Sequence, residues 1–329
     1  MPIPELIKSK KPIIALAPMA DYTDNPFCEI CRAVSGQNFI IFREMVSAQA
    51  IMRSNPKTLK MCEFANNQRP IIIQLFGSDP EVIASATRII SDKYKPDGID
   101  INMGCPVPKI ANKSGSGAGL MKNPDLASKI IKAVRKKNPN FFLSVKTRLG
   151  WSDKQEILKF ALIIESAGAD LLTIHARTKQ QGYSGNADWN VILAVKKNLR
   201  IPILANGDIN SPEKINQCLQ QTNANGVMIG RGALGAPWLL AGKSHNDFSI
   251  EEKIGIIKKH AVLHVAHYGE KGIISFRKHL MWYLKSDRIN CLTGLGQLRA
   301  KMSRIQSLSE LEEALDLLTI VPSRCKFDG

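Results

Sequence analysis

The chain has 329 residues, of which 44% are hydrophobic and 22% are charged, and its formal net charge is +16. It is longer than a single core usually grows, and none of its apolar runs is long enough to cross a bilayer. We therefore expect one large domain with a smaller appendage, no membrane span, and a polyanionic partner for the excess of positive charge.

The N-terminal segment lacks the apolar core of a secretion signal, so we expect a cytoplasmic protein whose seven cysteines are reduced. Cys28 and Cys31 form a C-x-x-C pair on one face of a predicted helix. Because no second pair completes a metal site, we expect both thiols to pack in a core rather than to bind zinc or an iron–sulfur cluster.

Eight short runs rich in β-branched residues alternate with amphipathic segments. The runs begin at Ile13, Phe39, Pro70, Gly98, Phe142, Leu171, Pro202 and Gly226. Intervening segments such as DPEVIASATRIISDKY and NPDLASKIIKAVRKK open on an Asp or Asn cap followed by proline, as helices do. The count predicts an α/β fold, a (β/α)8 TIM barrel. A doubly wound open sheet is the alternative, but the glycine-rich first turn of that fold is missing.

The alternation of strand and helix stops after the segment GKSHNDFS. The remaining segments have helical periodicity, so we predict a barrel domain over residues 1–245 and a helical domain over residues 246–329. Residues 258–304 contain ten Lys or Arg and two acidic residues, and 10 − 2 gives +8, half of the net charge. The helical domain is therefore the predicted contact for a polyanion.

The C-terminal strand ends of a (β/α)8 barrel hold its chemistry, and here these ends are polar. In chain order they carry Pro18, Met19 and Ala20; Glu44; Gln74; Asn102 and Cys105; Lys146 and Arg148; His175 and Arg177; Asn206 and Asp208; Gly230 and Arg231. Glycines follow the last two strands in ANGDI and IGRGAL, where many barrels bind a phosphate through backbone N–H groups.

Three side chains at the mouth favour a flavin and a proton donor. Lys146 suits the anionic edge of a reduced flavin, and Gln74 suits the polar rim of its ring. Cys105 has no neighbouring base in the sequence, so we expect a protonated thiol that acts as a general acid, with a structural cysteine as the alternative. The following loop, PVPKIANKSGSGAGLMKNP, predicts either a mobile cationic flap or a solvated surface loop.

Seven motifs together resemble those of the tRNA-dihydrouridine synthases, most closely the bacterial B-type branch. They are APMADYTDNPF, QLFG, INMGCPVPKI, VKTRLG, IHARTKQQGYSGNADW, ANGDI and IGRGAL. The match runs from Ile13 to Trp238 and continues weakly through FRKHLMWYLK. The resemblance implies an FMN enzyme that uses NADPH to reduce the C5=C6 bond of specific uridines in the D-loop of tRNA.

The resemblance also implies individual roles, with Cys105 as the catalytic acid. The implied FMN contacts are Pro18, Met19, Ala20, Gln74, Lys146, His175, Asn206, Gly207, Asp208, Gly230 and Arg231. The expected substrate contacts are Asn102 for the uracil, and Lys109, Arg148, Arg177, Arg277, Lys278 and Arg288 for the remainder of the tRNA. We expect no metal, no membrane association and no obligate protein partner.

Two rival functions remain at this stage. An FMN barrel acting on a small molecule, of the dihydroorotate dehydrogenase kind, would not explain the basic helical tail. An RNA-binding barrel without catalysis would not explain Cys105, Lys146 and the glycine loops. Cys28 and Pro108 stand where the family commonly has basic residues, and these departures bear on substrate preference.

Overall fold

A computed structural model describes residues 3–9, 11–285 and 295–320. Eight parallel strands pair in chain order and close into a barrel, with β8 beside β1. The strands are β1 Ile13–Leu16, β2 Ile40–Ser47, β3 Ile71–Phe76, β4 Gly98–Met103, β5 Leu143–Arg148, β6 Leu171–His175, β7 Ile203–Asn206 and β8 Gly226–Ile229. Each strand begins at the predicted residue or at the next one, so the predicted barrel is confirmed.

Helices alternate with the strands along the chain, as the sequence pattern predicts. Up to β8 they are α1 Ile3–Lys8, α2 Asn25–Ser35, α3 Ala48–Met52, α4 Pro56–Met61, α5 Pro80–Tyr94, α6 Pro124–Lys137, α7 Glu156–Ser166, α8 Trp189–Lys196 and α9 Pro212–Thr222. The Asp79 carboxylate accepts hydrogen bonds from the first turn of α5, and the Asn123 side chain does the same for α6. These caps satisfy N–H groups that have no partner within the helix.

The barrel interior changes from apolar to polar along the strands. Alternate residues of a strand face inward, and near the N-terminal ends they form an apolar cluster with α1. That cluster includes Ile3, Ala15, Ala17, Ile40, Phe42, Ile72, Leu171, Leu204 and Met228. At the C-terminal ends of the strands the inward-facing residues are polar. They are Glu44, Gln74, Asn102, Lys146, His175 and Asn206. The apolar cluster fills the base of the barrel, and polar groups become frequent toward its mouth.

The chain divides into two compact units, Met1–Asp24 with Gln37–Gly230, and Asn25–Gly36 with Arg231–Gly329. The second unit therefore begins at Arg231 rather than near residue 246, and it includes α2, which precedes β2 in the chain. A 3₁₀ turn at Pro237–Ala241 packs on α2, and Ser35 Oγ donates to the Pro237 carbonyl at 2.7 Å. Local helical periodicity carries no signal for such a contact between distant segments.

The second unit has its own apolar core. After β8 its helices are α10 Ile250–Tyr268, α11 Gly272–Tyr283, α12 Leu295–Met302 and α13 Leu308–Ile320. They share buried residues such as Ile257, Phe276, Leu280 and Leu315. In α2, Cys28 and Cys31 form no disulfide and are fully buried, as core packing requires. No helix in the described ranges is long and apolar enough to span a bilayer.

Candidate active site

A buried carboxylate, Asp100, links three strands at the mouth. Gln74 Nε2 donates to Asp100 Oδ2 at 2.6 Å, and Ser144 Oγ donates to Asp100 Oδ1 at 2.6 Å. Asn102 Nδ2 in turn donates to Gln74 Oε1 at 2.8 Å. Burial raises the pKa of Asp100 to about 6, although the two hydrogen bonds and the charge of Lys146 oppose this shift. The network fixes the positions of Gln74 and Asn102.

Asn102 also shapes the turn that presents Cys105. Its Oδ1 accepts hydrogen bonds from the backbone N–H of Gly104 at 3.1 Å and of Cys105 at 2.9 Å. Ala118 N, from the following loop, donates to the Cys105 carbonyl at 3.1 Å. The Cys105 backbone is thus held from both sides just beyond the end of β4.

The Cys105 thiol is protonated at neutral pH. Burial raises its pKa, and this effect exceeds the opposing influence of the Val107 N–H group and of the positive charges of Arg148 and Lys146. The two cations favour the thiolate, so they stabilise the sulfur once its proton has left. This combination suits a general acid better than a nucleophile, which would need an activating base.

Lys146 supplies a partly buried cation at the mouth. It pairs in register with Asn102 on one side and Thr173 on the other. Burial, and then the charge of Arg148, lowers its pKa to about 8, while Asp100 and Cys105 oppose the shift. Within the described ranges, no residue accepts a hydrogen bond from its ammonium group. Lys146 therefore remains available to an anionic ligand.

Arg148, a predicted substrate contact, joins two loops instead of projecting as a free cation. Its Nε donates to the Gly104 carbonyl at 2.8 Å, and its Nη1 donates to the carbonyls of Thr178 at 3.0 Å and Gly182 at 2.8 Å. The ring of Tyr183 lies over the guanidinium at 5.6 Å. Arg148 thus ties the turn before Cys105 to the loop after β6.

Arg177 has a similar arrangement after β6. Its Nη2 forms an ion pair with Asp208 Oδ2 at 2.8 Å, and its Nε donates to the Ser184 carbonyl at 3.2 Å. Ala187 N donates to the same oxygen of Asp208 at 2.7 Å. Arg177 Nη1 lies 3.5 Å from His175 Nε2. The predicted cofactor contacts His175 and Asp208 are therefore parts of one connected group.

The loops after β1 and β7 are shaped by backbone contacts. Met19 N donates to Thr23 Oγ1 at 2.8 Å, and Asn206 Nδ2 donates to the Met228 carbonyl at 2.7 Å. Gly207 has a φ of +120°, and a Cβ at this position would lie 3.1 Å from His175 Cδ2. Only glycine fits this position without displacing its neighbour.

Several predicted residues lie outside this group. Lys109 is exposed on a helical turn after Cys105. Arg231 and Lys278 belong to the second unit. Arg277, also in that unit, donates through Nε to the Ile305 carbonyl at 2.8 Å, so its charge is partly used within its own core. Arg288 lies outside the described residues.

Sequence reasoning missed two residues at the mouth, Asp100 and Tyr183. Asp100 lies two positions before Asn102, so the alternation in GIDINM places both on the same face of β4. Tyr183 is 60% exposed, and its ring centroid lies 6.2 Å from that of His175. A tyrosine in a loop belongs to no helical or strand periodicity, so its place at the mouth becomes visible only in the folded structure.

A family model and named relatives align with most of the chain. The family model described as "Dihydrouridine synthase (Dus)" matches residues 15–322. A probable tRNA-dihydrouridine synthase 1 from Synechocystis sp. is 37% identical over 311 residues, which is 91% of this chain and 84% of the relative. The tRNA-dihydrouridine synthase B of Pseudomonas syringae pv. tomato is 36% identical over 303 residues, or 89% and 87% of the two chains.

Solved structures share the barrel at much lower identity. TcOYE, solved with pHBA, superposes with a TM-score of 0.55 at 11% identity, over 75% of this chain and 94% of that one. Histamine dehydrogenase from Rhizobium sp. 4-9 gives a TM-score of 0.52 at 12% identity, over 93% and 62% of the two chains. At such identities the likeness supports the fold.

The family model and the curated relatives together define a flavin-dependent oxidoreductase, built here on a closed eight-stranded barrel. Because the family model spans nearly the whole chain and curated relatives reach 37% identity, the chain belongs to the dihydrouridine synthase family. The predicted resemblance and the predicted class of enzyme are both confirmed.

The residues at the mouth fit a flavin. Lys146 is a cation without a hydrogen-bond acceptor among the described residues, as an anionic ring edge requires. Gln74 is fixed by Asp100 and Asn102, so its amide is oriented before any ligand binds.

Proposed function

We propose that this dihydrouridine synthase binds FMN, takes its electrons from NADPH and reduces the C5=C6 bond of uridines in tRNA, with Cys105 as the proton donor. The family and the flavin class support the reaction, and the identity of both cofactors follows the resemblance of the mouth motifs. Since the substrate is tRNA, we also infer a cytoplasmic location.

The state of Cys105 carries the proposal. When bound, a reduced flavin would supply hydride to C6 of the uracil, so negative charge would develop at C5 and O4. The Cys105 thiol holds a proton at Sγ because burial raises its pKa. Donation of this proton to C5 completes the reduction, and the positive charges of Lys146 and Arg148 stabilise the thiolate that remains.

The chain's cofactor contacts would surround the flavin at the mouth. Lys146 would face the N1–C2–O2 edge, which becomes anionic on reduction, and Gln74 would bond the polar rim of the ring. The ribityl phosphate would lie at the glycine loops after β7 and β8. The other proposed contacts are Pro18, Met19, Ala20, His175, Asn206, Gly207, Asp208, Gly230 and Arg231.

Substrate recognition would divide between the mouth and the second unit. The target base must leave its stack, at a cost of a few kcal/mol, before Asn102 can place it. Arg148 and Arg177 would act mainly by holding loops, because their guanidinium groups bond backbone carbonyls. Phosphate contacts would come from Lys109 and from basic residues of the second unit, including Lys278.

Purified protein, unmodified tRNA transcript and NADPH test this function directly. We expect the extracted cofactor to be FMN and mass spectrometry of the digested tRNA to show dihydrouridine. Bulk tRNA from cells that lack the gene is a second substrate with physiological modifications. NADPH-dependent reduction of a free pyrimidine with no dihydrouridine in either tRNA would favour the small-molecule enzyme instead.

A further inference from the structure

Three buried histidines lie together in the second unit, and none of them is among the residues assigned to flavin chemistry. His260 and His264 are one helical turn apart on α10, and His279 lies on α11. Their exposed fractions are 0%, 0% and 1%. Two histidines at i and i+4 on one helix point to the same side, which is a spacing that metal-binding helices use.

The geometry of the three rings suits one metal ion. One ring nitrogen from each histidine can be chosen so that all three lie within 4.8 Å of one another. A tetrahedral zinc ion about 2.0–2.1 Å from each nitrogen needs separations of roughly 3.4 Å. The three nitrogens would therefore have to approach one another when the ion binds.

The outer contacts of the histidines already fix one ring. Ser275 Oγ donates its proton to the Gly272 carbonyl at 3.0 Å and lies 2.8 Å from His264 Nε2. With its proton on the Gly272 carbonyl, the hydroxyl accepts from His264 Nε2–H, and the lone pair of neutral His264 then lies on Nδ1. His260 Nδ1 lies 3.1 Å from the Tyr283 hydroxyl. Metal-bound histidines typically have their second nitrogen held in this way.

We propose that His260, His264 and His279 form a structural binding site for a divalent transition metal of the zinc class. The metal would be bound through His260 Nε2, His264 Nδ1 and one nitrogen of His279, and it would link α10 to α11. A water molecule or a small anion would take the fourth position, and an anion would offset part of the buried charge. This site departs from the sequence-based expectation of no metal.

The ligand set selects among metals. Neutral imidazoles suit zinc, cobalt, nickel, copper and iron, whereas magnesium and calcium prefer oxygen ligands. The C-x-x-C pair of α2 does not belong to the histidine group among the described residues. An ion at this site is therefore bound by nitrogen without sulfur.

Cobalt provides a spectroscopic probe of this proposal. The full-length protein is unfolded in chelator and refolded with flavin and CoCl2, since a buried site fills as the protein folds. We expect an equimolar amount of cobalt, the visible d–d bands of a tetrahedral ion, and no thiolate-to-cobalt charge-transfer band. Refolding with ZnSO4 should give an equimolar zinc content by elemental analysis and a higher melting temperature than refolding in chelator.

Variants separate this site from adventitious binding. His264→Gln and His279→Gln should weaken zinc affinity at least tenfold, measured by competition with a chromophoric chelator. His267→Gln changes a histidine of the same helix outside the group and should bind zinc like the wild type. Equal affinity in all three variants would overturn the proposal.

The wild type alone also decides the matter if a variant fails to fold. A correctly refolded wild-type protein without tetrahedral cobalt bands, or with a thiolate band, contradicts the trihistidine site. Metal content is read without dihydrouridine synthesis, so either outcome is independent of the proposed enzymatic function.

Discussion

Asp100 is a carboxylate that the fold buries in order to position other groups. It accepts hydrogen bonds from Gln74 and Ser144, and Gln74 in turn holds Asn102. Burial disfavours the ionised carboxylate and raises the pKa of Asp100 from 3.8 to about 6. A folded-state pKa above the ordinary value means that the folded protein binds this proton more tightly than the unfolded chain does.

The Asp100→Asn variant tests whether this raised pKa makes the unfolding free energy depend on pH. As pH rises from about 4 to about 6, the wild type loses roughly 3 kcal/mol of unfolding free energy at this group, because the unfolded chain ionises first. The amide can accept from Gln74 and donate to Ser144, so the variant keeps the network without the titration. Urea unfolding of both proteins across this range should show that the wild type loses roughly 3 kcal/mol more unfolding free energy than the variant does. Parallel pH profiles would contradict a raised pKa at Asp100.

Residue types at the mouth were predictable, but their partners were not. Gln74, Lys146 and Cys105 follow strand ends that β-branched runs mark clearly in the sequence. Arg148 lies at a strand end, where the sequence predicts a substrate contact. Its partners are carbonyls of loops up to 44 positions away, and only folding brings those together.

At the scale of elements, the loops after β6 and β7 support one another. Gly207 follows β7, and its backbone conformation lets His175, at the end of β6, lie beside it. The Trp189 indole N–H, at the start of α8, donates to the Gly207 carbonyl at 3.1 Å. A glycine here is therefore required both by φ and by close packing.

Gly207→Ala should perturb this junction. The added methyl meets His175 and Ala187 at 3.1 and 3.0 Å, and the left-handed φ adds strain of about 1–3 kcal/mol. We expect a lower melting temperature and a reduced flavin content after purification. Gly242→Ala is the matched control, since its φ is +72° but no atom lies within 4 Å of the new methyl. Equal flavin loss in both variants would argue against a specific role for the Gly207 contact.

Strand and helix positions were predictable because each has a local signal. The eight strand starts and the caps of α5 and α6 lie at or next to their predicted residues. The membership of α2 in the second unit was not predictable. Its apolar face is satisfied by helices more than 200 positions later, which no local periodicity describes.

At the scale of the whole molecule, only some of the basic residues in the second unit are exposed and able to bind a phosphate directly. Arg277 bonds the Ile305 carbonyl, whereas Lys301 and Arg304 are exposed. A cation that is already hydrogen-bonded within the unit must break those hydrogen bonds before it can bind a phosphate. Exposed cations release counterions on binding without that cost.

The Lys301→Ala, Arg304→Ala double variant should therefore weaken tRNA binding several-fold. The slope of log affinity against log salt should fall by roughly 1.4–1.8, the value for two lost phosphate contacts. Lys132→Ala with Lys129→Ala removes the same charge from α6 and serves as the control. An unchanged salt slope in the first variant, or an equal change in the control, would contradict specific phosphate contacts by the second unit.

The most direct measurement compares wild type, Cys105→Ser and Cys105→Ala in the same assay, following flavin content, NADPH oxidation and dihydrouridine in tRNA. If the Cys105 thiol delivers the proton to C5, both variants keep flavin and oxidise NADPH, while dihydrouridine formation falls by about 10²–10⁴. Wild-type rates of dihydrouridine formation in Cys105→Ala would contradict this role for the thiol.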